Sequence, residues 1–228
     1  MPDFDTLLQD IAACTRCDLH KTRTMSVPGE GSRTAQIMII GEAPGFNEDK
    51  QGRPFVGQAG NVLNRMLASI GLKREDVYIT NMVKSRPPEN RDPLPAEIEA
   101  CRPFLDRQIE LIRPKVIVCL GRHSFGKFFP GELISKSRGK ARKYKDMIVY
   151  PMYHPAATLH NPGLLPALEA DFKKLKDLLD ARPQAPTPPA TKPTQLALQP
   201  QPQAVPQKAD APAAGPAAEK KPKQLGLF

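Results

Sequence analysis

Residues 36–45 read QIMIIGEAPG, an apolar run that ends abruptly on a loop of glycine, proline and one carboxylate. A strand built from such a run has no polar face and must be covered on both sides. The pattern recurs at VYIT (77–80), KVIVCL (115–120) and MIVYP (147–151). Each run empties into a loop rich in Gly, Pro, Asn or His: NMVKSRPPENRDP (81–93), GRHS (121–124) and MYHPAA (152–157). Between the runs lie stretches of helical period, NVLNRMLASIG, PAEIEACRPFLDRQIELI and RHSFGKFF. Parallel strands need crossovers, so this alternation predicts a three-layer α/β/α fold around a central four-stranded parallel sheet. Helices over about residues 4–13 and 164–181 are expected to flank it. Ligands of such sheets sit beyond the carboxyl ends of the strands, which directs attention to the four loops.

Composition marks where this unit ends. Eleven of the chain's 26 prolines fall in residues 183–228, among Ala, Gln and Lys, and almost nothing there can build a core. A domain over residues 1–182 and a disordered tail over 183–228 are therefore expected. The formal charge is +9; five tail lysines against Asp210 and Glu219 leave +6 on the domain, a balance that favours polyanionic partners. The first residues, MPDFDTLLQDIAA, carry acids where a leader would be basic, and no apolar run has the length of a membrane span. A cytoplasmic, nucleoid-associated monomer with no membrane contact is expected. Four cysteines, two of them in CTRC (14–17), suggest a reducing compartment and metal chemistry.

The segments GEAPGFNEDKQGRPFVGQAGNVLNRML, YITNMVKSRPPENRDP and PMYHPAA, with the CTRC pair, resemble the family 4 uracil-DNA glycosylases. These are the iron-sulfur branch of the uracil-DNA glycosylase superfamily, and the likeness runs in order over about residues 5–180. It implies a monofunctional enzyme that flips uracil out of single- or double-stranded DNA and hydrolyses its N-glycosidic bond, starting base excision repair. The transition state carries positive charge on the deoxyribose and negative charge on the departing base. In the resemblance His154 faces uracil O2, where that charge collects. Asn81 reads the O4 and N3 edge, since an amide offers one donor and one acceptor; cytosine, with a donor in place of O4, does not match. Phe55 stacks on the flipped base, and Gly41, Ala43 and Gly57 shape the same pocket. Ala43 stands where the best-known branch carries a water-polarising Asp, so Glu42 becomes the candidate for positioning water or stabilising the sugar cation. Glu48 and Asp49 read as solvated loop carboxylates. The GQAG turn opens a helix whose first amides can face an anion.

Taken singly, Phe55 fits a core, Asn81 a strand-end cap and His154 a structural role; their joint position at strand ends reverses that. Leu159, in HPAATLHN, matches the wedge that fills the space left by the flipped base. KSRGKARKYK (136–145) holds six basic residues, and Lys136, Arg138 and Lys140 fit phosphate contacts. A superfamily relative that traps uracil-DNA covalently uses a histidine in an arginine-rich insertion with no counterpart here, so turnover is expected. The alternative is a non-catalytic uracil-DNA binding or scaffold protein that recruits the sliding clamp. Such a protein would have no reason to keep Asn81, Phe55 and His154 together.

The resemblance also implies a [4Fe-4S] cluster. Cys14, Cys17 and Cys101 match three of its four ligands, and the fourth position holds Ser85, a harder and more basic donor than a thiolate. Three readings stay open: Ser85 ligates or leaves a labile cluster, Cys119 substitutes from within its apolar strand, or Ser85 was introduced into a chain whose parent had cysteine. At the far end, Gln224, Leu225, Leu227 and Phe228 resemble the short bacterial clamp-binding peptide, on a tether that would carry them to a groove of the clamp. QLAL at 195–198 is a weaker copy.

Overall fold

The computed structural model describes residues 3–181. Their elements are α1 (Phe4–Ala13), β1 (Glu30–Gly31), β2 (Ile37–Gly41), α2 (Phe46–Gln51), α3 (Gln58–Ser69), β3 (Tyr78–Asn81), α4 (Pro95–Ile112), β4 (Val116–Leu120), α5 (Arg122–Gly126), α6 (Ile134–Ser137), β5 (Arg142–Tyr144), β6 (Met147–Met152), α7 (Pro155–His160) and α8 (Leu165–Asp180). Among the described residues the strands form one sheet in the order β1-β3-β2-β4-β6-β5.

The four expected strands are its parallel centre, with Ile39 paired to Ile79 on one side and Val118 on the other, and Val118 paired to Tyr150. The expected purely parallel, four-stranded sheet is corrected: β1 and β5 add antiparallel edges. Neither edge carries an apolar run. β1 is two residues long, and Gly31 lies at φ +117 with its missing Cβ only 1.9 Å from the Val77 carbonyl oxygen, so only glycine fits there. β5 comes from the basic stretch. Its Arg142 lies over the Phe129 ring and pairs with both Glu132 carboxylate oxygens at 2.8 and 3.0 Å, while Tyr144 sets its edge against Phe128.

Alternate strand residues feed two cores. Ile37, Ile39, Ile79, Val118 and Tyr150 pack with Leu63 and Leu67 of α3 and Phe172 of α8. Met38, Ile40, Ile117, Cys119 and Val149 pack on the other face with Leu105 of α4 and Phe125 of α5. A smaller cluster joins Leu7 and Ile11 of α1 to Val83, Cys101 and Phe104. Helix α1 begins on Asp3, whose carboxylate accepts from the Thr6 amide at 2.8 Å. In the first turn of α4, Glu97 accepts from the Leu94 amide and holds Arg91 in a two-pronged pair. No helix among the described residues is long and apolar enough to cross a membrane. The expected tail at 183–228, with the QLAL copy and the peptide Gln224, Leu225, Leu227 and Phe228, lies outside the described residues.

Candidate active site and cysteine cleft

The ends of β2, β3 and β6 bring Gly41, Asn81 and His154 together with Phe55. Asn81 is 2% exposed, and its Oδ1 is a buried acceptor without a hydrogen-bond partner among the described residues. A buried carbonyl oxygen left unpaired costs about 1–3 kcal/mol, which marks the place for a donor from outside the chain. Gly41 is required beside it: a Cβ would lie 2.4 Å from Asn81 Oδ1 and 2.6 Å from the Phe55 ring. Phe55 sits at φ 51 and stacks on the His154 imidazole with centroids 5.5 Å apart. This left-handed backbone is held from behind by Arg74, whose five N–H groups serve the Pro54 and Phe55 carbonyls, Asn64 and, twice, Glu30.

His154 caps α7. Its Nδ1 accepts from the Ala156 amide at 3.2 Å, so the neutral ring carries its proton on Nε2 and presents a donor there. Burial keeps the ring neutral by lowering its pKa to about 4, with Glu48 opposing weakly.

Two carboxylates correct the sequence reading. Glu48 is not solvated: its Oε1 accepts from the amides of Val56 and Gly57 at 2.9 and 2.8 Å. The anion at the start of α3 is thus the chain's own, and the Gly57 amide is already occupied. Asp49 is buried and accepts from the Thr24 amide with both oxygens.

Glu42 is partly buried beside two groups that sequence reasoning had not assigned. His123 Nε2 lies 3.8 Å from Glu42 and 3.5 Å from Asp92, and Arg122 donates to that ring nitrogen and pairs with Asp92. Burial pushes the Glu42 carboxyl up, His123 and Arg122 pull it down, and Asp92 adds to the rise. His123 and Asp92 belong to loops that the strand-end rule had already singled out. Ala43 turns elsewhere and packs against the cluster around Cys101.

The cysteines converge on a different spot. Cys14, Cys17, Ser85 and Cys101 line one narrow cleft with Ile11, Leu19 and Phe104. Burial pushes up the thiols of Cys17 and Cys101, and at Cys101 the charge and the backbone amide of Lys84 oppose it. That amide reaches Cys101 Sγ at 3.2 Å, and Arg23 donates to Ser85 Oγ at 3.0 Å. Cys119 does not line the cleft; it is sealed in the core between β4 and α5, and burial raises its thiol.

Lys84 was not foreseen. Fully buried, its ammonium donates to Thr80 Oγ1, the Asn81 carbonyl and Gln108 Oε1 at 2.6–2.8 Å, and burial lowers its pKa to about 7. The side chain bridges the segment that presents Asn81 and the wall that presents Cys101.

Of the residues expected to meet DNA, Leu159 is exposed on α7, and Lys136 on α6 and Lys140 in the loop before β5 are exposed too. Arg138 instead pairs at 3.1 Å with Asp171, which is wholly buried, so its charge is already engaged.

A family model described as the uracil DNA glycosylase superfamily matches residues 28–180. The chain is 53% identical to the type-4 uracil-DNA glycosylase of Sulfurisphaera tokodaii, over 78% of this chain and 86% of that one. It is 51% identical to the protein of the same name from Archaeoglobus fulgidus, over 78% and 94%. The corresponding protein of Saccharolobus solfataricus is 50% identical, over 80% and 89%.

Proposed function

The chain belongs to the uracil DNA glycosylase superfamily, and from that premise we propose the following course for its reaction. The protein is a uracil-DNA glycosylase, a hydrolase of N-glycosidic bonds. The observation that carries the site assignment is the buried, unpartnered Asn81 Oδ1. Uracil N3–H is a donor that suits it, and the amide NH₂ of the same side chain then meets O4. Cytosine offers no N3–H and carries a donor in place of O4, so it leaves Oδ1 unpaired and sets two donors against each other. The flipped base enters against Phe55, with Gly41 leaving room at its edge.

As the glycosidic bond stretches, charge gathers on uracil O2. His154 donates its Nε2–H there, and a donor at such a point is worth roughly 10²–10³ in rate. Because the ring is already neutral and its tautomer is fixed by Ala156, it needs no rearrangement at the moment of reaction. Glu42 stabilises the sugar cation electrostatically, holds the attacking water and accepts the proton that water gives up, with His123 beside it. Leu159 fills the vacated stack, and Lys136 and Lys140 meet phosphates.

The cysteine cleft fits a [4Fe-4S] cluster held by Cys14, Cys17 and Cys101, with Ser85 as the fourth donor. Supporting this are three thiols from two segments, the CTRC turn after α1 and α4, lining one cleft, and two hydrogen bonds suited to anionic ligands, Lys84 amide to Cys101 and Arg23 to Ser85. Such a cluster would supply a cross-link between the end of α1, the 82–85 segment and α4. The catalytic unit is residues 1–182, and the peptide at 224–228 recruits a sliding clamp.

An oligonucleotide with one uracil, incubated with the protein and then treated with alkali, tests the activity. A strand break at the uracil is expected; retained binding with no break would leave only the scaffold reading. Absorbance near 400 nm and about four irons per chain are expected of the cluster, and bound zinc in their place would sink that assignment.

A further inference from the structure

Phe46 is 48% exposed and is the only aromatic ring among the exposed large hydrophobic side chains of the described residues. It opens α2 directly after Gly45, the last residue of the GEAPG loop, and α2 is fastened to the base pocket because Glu48 caps the turn that follows Phe55. Two cations lie over the ring: Lys50 Nζ at 4.2 Å from its centre and the Arg86 guanidinium at 5.1 Å. Arg86 comes from the loop after β3, five residues beyond Asn81, and its Nε is held by Asn90 Oδ1 at 2.7 Å. Neither cation pairs with a carboxylate among the described residues. An exposed ring with two cations drawn to it, on the element that follows the GEAPG loop, matches one ligand chemistry: a nucleobase face bounded by phosphates, which would draw the cations off the ring.

We propose that Phe46 is a stacking platform for the base next to the uracil on the same DNA strand, with Lys50 and Arg86 meeting the phosphates on either side of that base. This rests on the uracil-DNA reading, which brings the strand across this element. Stacking needs no hydrogen bonds to the base, so the platform accepts any neighbour and adds affinity without sequence preference. It also works best on a strand free to unstack, which favours single-stranded substrate. The occupant is the DNA itself; a second copy of the chain, or another protein, would leave DNA binding indifferent to the ring.

The test uses the full chain and a labelled single strand with one uracil, with enzyme in excess, so that half-saturation and saturated rate separate. A set of strands replaces each neighbour of the uracil in turn by an abasic tetrahydrofuran. Phe46→Ala is expected to raise the half-saturating concentration roughly 5- to 150-fold, with the loss absent from the saturated rate, and Phe46→Trp to restore it. At the contacted position, tetrahydrofuran should weaken wild type by the same factor and leave Phe46→Ala no weaker. Lys50→Ala with Arg86→Ala should make the salt dependence on single strands shallower by about 1.4 in log–log slope. The proposal is overturned if Phe46→Ala matches wild type in half-saturation, if its loss falls on the saturated rate, or if the Phe46 and tetrahydrofuran effects multiply at every position. Wild type that releases no uracil would defeat the glycosylase reading; the same variants on an uncleaved strand would still decide for or against the platform.

Discussion

The base pocket and the cysteine cleft share one short segment of chain, with Asn81 at one end and Ser85 at the other, yet they are built on opposite terms. The base pocket is fixed by the fold alone: strand ends, a capped helix and the Arg74 fork set every group in place, and the one unpaired acceptor waits for a ligand. The cleft is collected from the end of α1, a loop and the middle of α4, and its donors have few bonds to one another. On the proposed assignment, chemistry belongs to the base pocket and the cleft draws its strength from the cluster.

The sharpest way to break this contrast is a pair of substitutions. His154→Ala should lower the saturated rate about 10²- to 10³-fold while lowering the melting temperature by only a few degrees, the lost α7 cap costing about 1 kcal/mol. Cys101→Ser should do the reverse, releasing iron and lowering the melting temperature. A Cys101 variant that melts like wild type but loses its rate would show the two regions to be one. Next in size, Gly41→Ala drives a methyl into Asn81 and Phe55, and overpacking of that kind should cost about 5- to 150-fold in kcat/KM for uracil. Ser85→Cys sharpens the contrast from the other side. It should retain iron longer and raise the melting temperature about 2–4 °C, the equivalent of roughly 1 kcal/mol, with uracil release unchanged.

The smallest effect is one of pH. The folded pKa of His154, about 4, lies below its free value of 6.5, so the unfolded chain takes up the proton first as pH falls. Stability from burying the neutral ring is complete above pH 6.5 and drains away as pH drops toward 4. Urea midpoints of wild type and His154→Gln, compared over that window, should shift relative to each other below pH 6.5 and run parallel above it.

Periodicity made much of this architecture legible. The four central strands, α1 over 4–13 and α4 over 95–112 were readable because a buried face repeats. The positions of Asn81 and His154 at strand ends followed from parallel-sheet geometry. What escaped were polar groups whose partners lie far off in sequence. Glu48 and Asp49 look solvated until the amides eight to 25 residues away close on them, and Arg138 looks free until Asp171 arrives on α8. Lys84 was hidden for the same reason, its acceptor Gln108 being 24 residues distant. The edge strands escaped because glycine and arginine carry no apolar rhythm.

Arg74 sits in KRED, a stretch that reads as interchangeable surface charge. Its five donors all have acceptors, and a lysine there would offer three from a single point and could not span the Pro54 and Phe55 carbonyls, Asn64 and Glu30 together. For anyone redesigning this enzyme's surface for solubility or shelf life, that one position should be frozen while neighbouring charges are varied. An innocuous swap at that position would otherwise loosen the left-handed turn that carries the Phe55 ring.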